Sequence, residues 1–293
     1  MRRPFLLAAL ALLATAPTAA QATFPGASGR IAASATIEEG DGFVTEALVA
    51  LAPDNPGRGR DVKYLRECSQ LNGEPEKGSN CDAEYRAPSW HPDGKRLVFD
   101  AGSSLALLNA DKSGFRRLAR SSADDGDPAF SPSGRQIVFH GRAATAQAVF
   151  VRSVEGAGKA RRLAAGASSP DWSKRNRIAY VRAGAIHTVQ PDGSARKRIA
   201  RGREPSWSPS GTSIAFSRGD GIYVARADGR RARRVVRCSD CRTPVFSPDG
   251  KLLAIDLGGI RTVRVSDGRL VRRVIEDTSG SIDFSEPAWQ PRK

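Results

Sequence analysis

Histidine, cysteine and methionine are scarce in this 293-residue chain, which holds three, four and one of them. The histidines, His91, His140 and His187, lie too far apart in sequence to suggest a metal-binding pair and read as surface or packing residues. No G-x-S-x-G, H-E-x-x-H, Walker loop or strand-borne G-x-G-x-x-G is present. The sequence signatures of serine hydrolases, zinc proteases and nucleotide-binding loops are therefore missing. Aromatic residues make up only 6% of the chain. Mean hydropathy is −0.39, and the one long apolar run is N-terminal, which excludes a polytopic membrane protein. Acidic residues are outnumbered, 31 against 46 Lys and Arg, for a formal charge of +15.

Residues 1–22 put Arg2 and Arg3 before an apolar stretch from Phe5 to about Ala14, and end in Ala20-Gln21-Ala22. A charged n-region, a short h-region and an A-x-A site describe a cleaved signal peptide, not a membrane anchor. The expectation is a secreted or periplasmic protein whose residues 23–293 form one domain. Export favours disulfides, and the even cysteine count divides into two local pairs, Cys68–Cys81 and Cys238–Cys241. Cys68 and Cys81 enclose a polar loop without strand pattern, inside an excess at residues 53–86. CSDC lies between strand-like segments, which suits a structural staple better than a redox motif.

One phrase recurs: APSWHPDGKRLVFDAG from Ala87, DPAFSPSGRQIVFHGR from Asp127, SPDWSKRNRIAYVRAG from Ser169, EPSWSPSGTSIAFSRG from Glu204 and TPVFSPDGKLLAIDLG from Thr243. Trp90, Phe130, Trp172, Trp207 and Phe246 are its aromatic anchors. A period near 40 residues suits one four-stranded propeller blade. The x-P-x-W/F piece is a short strand. Ser-Pro-Asp-Gly is a turn, with Pro presetting φ and Gly closing it. A β-rich second strand, a third strand, an Asp-Gly turn and a basic fourth strand complete the unit. Residues 24–32 supply a second strand without a first, and Glu286-Pro287-Ala288-Trp289 supply a first strand without a second. The fold class expected is all-β: a six-bladed β-propeller of four-stranded antiparallel blades, closed by the C-terminal strand completing the N-terminal blade.

In WHPDG, FSPSG, WSPSG, FSPDG and the RRL strands the chain resembles the TolB-type propeller repeat family. The resemblance spans the mature chain and implies an exported six-bladed propeller that binds something near the mouth of its channel. The extra N-terminal α/β domain of TolB has no room here, which puts that domain's roles in doubt.

Equivalent positions on successive blades converge at one end of a propeller's channel. The residues before the first-strand prolines are Asp127, Ser169, Glu204, Thr243 and Glu286, with Ala87 in the sixth blade. They form a candidate binding ring at the mouth, acidic enough for Ca²⁺ or a basic peptide end. The fourth strands carry Arg116, Arg117, Arg161, Arg162, Arg196, Arg198, Arg233, Arg234, Arg272 and Arg273, a rim that discourages strand addition or attracts an anionic partner. The expected partner is a protein or an anionic cell-envelope polymer. Nucleic acid and a transmembrane anchor are disfavoured, and a monomer is expected. No catalytic residues, metal ligands or cofactor are assigned, and the expected role is a non-catalytic interaction module. The alternative is a polysaccharide hydrolase or lyase on a propeller scaffold.

Overall fold

The computed structural model describes residues 27–38, 43–51, 63–71, 74–75, 84–121, 123–143, 146–155, 159–275 and 282–292. The segment read as a signal peptide lies outside them, as does Cys81 and with it the proposed Cys68–Cys81 pairing. Among the described residues no helix is long and apolar enough to cross a membrane.

Six antiparallel sheets surround a central channel. The blade at residues 203–237 shows the plan: an inner strand Arg203–Trp207, then Ser213–Arg218, Gly221–Arg226 and an outer strand Arg233–Arg237. In the first blade the inner place is filled by Ile282–Arg292, which pairs antiparallel with Ala27–Glu38 in the register Ile31↔Trp289 and Ala32↔Ala288. Gln290 adds a clasp, accepting from the backbone N of Arg30 (2.9 Å) and donating to the carbonyl of Gly94 in the second blade (2.6 Å). The closure expected from the two half-blades is thus present.

Within the span 53–86 the described residues include the first blade's own edge. Lys63–Leu71, which includes Cys68, pairs with Phe43–Leu51, a two-residue strand Glu74–Pro75 follows, and Tyr85–Trp90 already begins the second blade. Its polar composition hid the strand because ladder hydrogen bonds need only backbone, and an outer strand needs no apolar alternation.

The second strands read as unbroken apolar runs because both faces are covered. Leu97 and Phe99 pack toward the first blade while Val98 packs toward the third. Among the described residues the core divides into six seams, one between each pair of neighbouring blades. The aromatic anchors, Trp289 included, sit in these seams at 4% exposure or less, which leaves no sugar-stacking face. The turn glycines are tied to their neighbours too. Gly134 has φ +71°, and a Cβ there would lie 1.9 Å from Nε2 of His91 in the preceding blade's turn. His91 is accordingly a packing residue, edge-on to Phe130 with ring centroids 5.0 Å apart.

Candidate functional site

Each inner strand is broken by a bulge at its X-Pro step, visible as a register shift against the second strand. A proline disfavours the right-handed helical region for the residue before it. Here that residue takes the opposite hand: Ala87, Asp127, Ser169, Glu204, Thr243 and Glu286 have φ between +42° and +51°. For non-glycine residues such a conformation costs about 1–3 kcal/mol, and bulges of this kind redirect side chains. The six residues line one cavity of about 110 Å³ on the channel axis, together with Pro88, Pro128, Pro170, Pro205, Pro244 and Pro287. The structure therefore brings every pre-proline residue of the sequence-derived ring to one place.

Their chemistry differs from an open ring of carboxylates. Oε2 of Glu204 accepts from the backbone N of Thr243 in the next blade (3.0 Å) and from Oγ of Ser217 on its own second strand (2.7 Å). Glu286 repeats the motif, accepting from the N of Ala87 (2.7 Å) and Oγ of Ser34 (3.3 Å). These glutamates tie blade to blade. Asp171 does likewise deeper in the channel, its Oδ2 accepting from the N of Trp207 at 2.6 Å. Asp124 and Asp125, upstream of Asp127, are also committed: Asp124 pairs with Arg142 (3.3 Å), and Asp125 is buried and accepts from the N of Ser121 (2.7 Å).

A second ring lies behind the first, on the second strands. Asp100, His140, Val181, Ser217 and Asp256 occupy the same position, three residues past the strand-start aliphatic, and Ser34 is its counterpart in the first blade. Asp127 Oδ2 stands 3.0 Å from Nδ1 of His140. Gly126 leaves the room they share, since a Cβ on it would meet Asp100 Oδ2 at 2.8 Å and His140 Cε1 at 3.0 Å. Burial, followed by the charges of Asp127 and Glu286, pushes Asp100 up to about 8. Burial and the nearby Asp283 raise Asp256 to about 6. Burial opposes charge on His140, but Asp127, Asp100 and Asp125 overcome it and lift the imidazole above its ordinary value. Burial also raises Glu286, with Asp127 adding to it. The mouth is an acidic centre that holds protons at neutral pH.

Asp100 and Asp256 were not singled out in the sequence, and His140 was not placed at the channel mouth. The signal was in the repeat: LVFD, IVFH, IAFS and LAID end on the residues of this inner ring. His140, read there as a surface or packing residue, instead belongs to the site. His187 stacks on Tyr180 away from it. Among the described residues no group of three His, Cys, Asp or Glu side chains is arranged to hold a metal ion.

The basic fourth strands are the outer edges, as expected, and several of their arginines, though mostly exposed, bond within the fold. Arg117 caps its own blade at the carbonyl of Ala101 (2.6 Å), and Arg116 reaches Glu155 of the next blade (3.3 Å). Arg161 bonds the carbonyl of Pro191, Arg196 that of Leu163 and Arg233 that of Val265, each across a seam, while Arg234 pairs with Asp220. Arg162, Arg198 and Arg272 stay exposed, and the side chain of Arg273 lies outside the described residues. Cys238 and Cys241 form a disulfide, Cα to Cα 5.7 Å, in the connection between two blades.

Residues 68–219 match the model of the TolB beta propeller domain. A curated relative, the uncharacterized peptidase YuxL of Bacillus subtilis (strain 168), is 32% identical over 83 residues, 28% of this chain and 12% of that protein. The chain thus spans about an eighth of that relative's length. The crystal structure of TolB from Acinetobacter baumannii superposes with a TM-score of 0.68 at 17% identity, over 90% of this chain and 67% of that one. A puromycin-hydrolyzing peptidase of Mycobacterium tuberculosis superposes with a TM-score of 0.55 at 16% identity, over 92% and 56%. At such identities the structural likenesses show a shared fold.

Proposed function

This chain belongs to the TolB beta-propeller family, and from that premise we propose that it is an exported, monomeric, non-catalytic binding module that takes part of a protein at the acidic end of its channel. The observation that carries this reading is the convergence of six strained pre-proline residues, from six blades, on one cavity backed by Asp100, His140 and Asp256. Strain of this sort is maintained where a structure over-determines a functional surface.

The occupant that fits is a peptide segment carrying a cationic group. Proline rings offer apolar contact, while Asp127 and Asp256, which at about 6 has lost most of its proton at neutral pH, offer charge. A bare Ca²⁺ suits the site less well, because that ion wants six to eight oxygens and both ring glutamates are already accepting N–H and O–H groups. An anionic polymer on the perimeter is supported less, since many of the rim arginines are engaged within the fold.

Titration calorimetry with a lysine-rich peptide tests the reading. The wild type should bind it, and Asp127→Asn combined with Asp256→Asn should weaken binding at least tenfold. Equal affinity in both proteins, or heat from Ca²⁺ alone, would sink it. A second reading, hydrolysis, is favoured by the His140–Asp127 contact and by the peptidase name of one relative. Turnover of a peptide or polysaccharide that disappears in His140→Asn would establish it.

A further inference from the structure

A second cavity opens beside the channel, over the connections of the three blades between residues 167 and 275. It measures about 520 Å³, inside the range of roughly 300–1,000 Å³ usual for ligand sites. Its floor is glycine: Gly184, Gly202, Gly219 and Gly221. Two of these cannot carry a side chain. Gly202 has φ +149° and a Cβ on it would meet Phe216 at 2.6 Å, and one on Gly221, at φ +154°, would meet the carbonyl of Val236 at 1.9 Å. Four arginines stand around the floor: Arg201, Arg203, Arg218 and Arg242. All four are exposed, and among the described residues none is within ion-pair distance of a carboxylate.

Part of the wall is held before any ligand arrives. Arg218 lies over the Tyr223 ring, its guanidinium 4.1 Å from the centroid, a contact that restrains the side chain. Cys241 in the wall is tied to Cys238 by the disulfide. Glu204 is held by Thr243 and Ser217 as described above. Preorganised guanidinium forks recognise planar oxyanions in bidentate fashion.

We infer that this groove is a binding site for an acidic peptide segment, its Asp or Glu side chains seated on the arginines. Four guanidiniums spread over three blades call for several anionic groups on one ligand. The wall also holds Asp240, which accepts from Oγ of Ser239 at 2.6 Å and has a second oxygen that a peptide N–H can meet and a polyphosphate, having no donor, can only repel. The groove adjoins the channel and shares Glu204 and Ser217 with it, and the variants that test it alter arginines alone.

The probe is a labelled hexaglutamate peptide, followed by fluorescence anisotropy with the full chain. Wild type binds, and Arg218→Glu with Arg242→Glu loses at least tenfold in affinity. Arg218→Lys with Arg242→Lys keeps the charge but not the fork, and loses part of it. Arg162→Glu with Arg198→Glu, a matched charge change on the outer edge, leaves binding intact. Three results would overturn the inference: no binding to wild type, an equal loss in the outer-edge variant, or displacement by inorganic polyphosphate at lower charge concentration than by unlabelled hexaglutamate. Thermal unfolding of each variant separates lost binding from lost fold. Loss of lysine-peptide binding in the channel variant with hexaglutamate binding retained separates the two sites.

Discussion

Glu204 and Thr243 belong to different blades, and the carboxylate of the first takes the backbone N–H of the second at 3.0 Å. A side chain placed at the channel mouth thereby does the work of a sheet ladder between sheets that share none. Glu286 holds Ala87 in the same way, at 2.7 Å.

Glu204→Ala leaves that N–H without its acceptor and the Ser217 hydroxyl with only the longer bond to the carbonyl of Arg203 (3.4 Å). The expected loss is about 1–3 kcal/mol, the cost of stranding a buried donor. Glu204→Gln retains an accepting oxygen and should lose less than half as much. Urea unfolding of the three proteins decides; equal stability of the alanine variant would show that the bond contributes nothing.

The acidic centre makes stability depend on pH with a definite sign. Asp100, raised to about 8 by burial and by Asp127, keeps its proton in the native state from about pH 4 to 8, where the unfolded chain has lost it. Its contribution therefore falls as pH rises through that window and levels off above it. Asp256, at about 6, acts in the same direction over the lower half of the window. His140, lifted by the carboxylates despite its burial, contributes below its unfolded value and loses that contribution as pH climbs through its folded one. The melting temperature should drop between pH 5 and pH 8. Asp100→Asn should flatten the slope, and an unchanged slope in that variant would contradict the assignment.

The anchors differ in what their indoles do. Nε1 of Trp90 donates to the carbonyl of Ala288 at 2.9 Å, whereas Nε1 of Trp207 is buried with no hydrogen-bond partner among the described residues. Phe130 and Phe246 already fill the equivalent place in two blades. Trp207→Phe should cost under about 1.5 kcal/mol, the range for conservative apolar exchanges. Trp90→Phe should cost more, having also broken a bond across the closing seam. Chemical denaturation of both variants gives the comparison.

Gly134→Ala combines a left-handed backbone with a collision against His91. It should destabilise by about 1–3 kcal/mol. Gly219→Ala, at φ +41° with nothing within 4 Å, bears only the backbone cost and should be milder. Differential scanning calorimetry of the pair tests whether packing between turns matters beyond conformation.

The blade count, the closing strand and the six pre-proline positions were readable because a repeat reports its own alignment, and equivalent residues of a ring must meet at its axis. Asp100, His140 and Asp256 were equally aligned in the repeat, but they close a β-rich run, where the apolar pattern draws attention away from the one polar residue. The arginine groove had no such signal. Arg201, Arg203, Arg218 and Arg242 stand at strand ends on either side of inter-blade connections and one hairpin, and only the curvature of the ring brings them together. The outer arginines sit on edge strands as the repeat indicated, but their bonds across the seams had no signal. A long side chain on an edge strand reads as solvent-facing in one dimension, while in the ring the neighbouring blade's carbonyls, such as that of Leu163 for Arg196, lie within its reach.

The clasp between Arg30 and Gln290 spans 260 residues of sequence. Ribosomes elongate at about 5–20 residues per second, so Ala27–Glu38 waits roughly 13 to 52 s for its inner neighbour during synthesis. Through that interval an unsatisfied strand edge travels with the nascent polypeptide, open to pairing with any passing extended segment. A chaperone that shields Ala27–Glu38 until Ile282–Arg292 emerges would raise the yield of native protein more than one acting on any later blade.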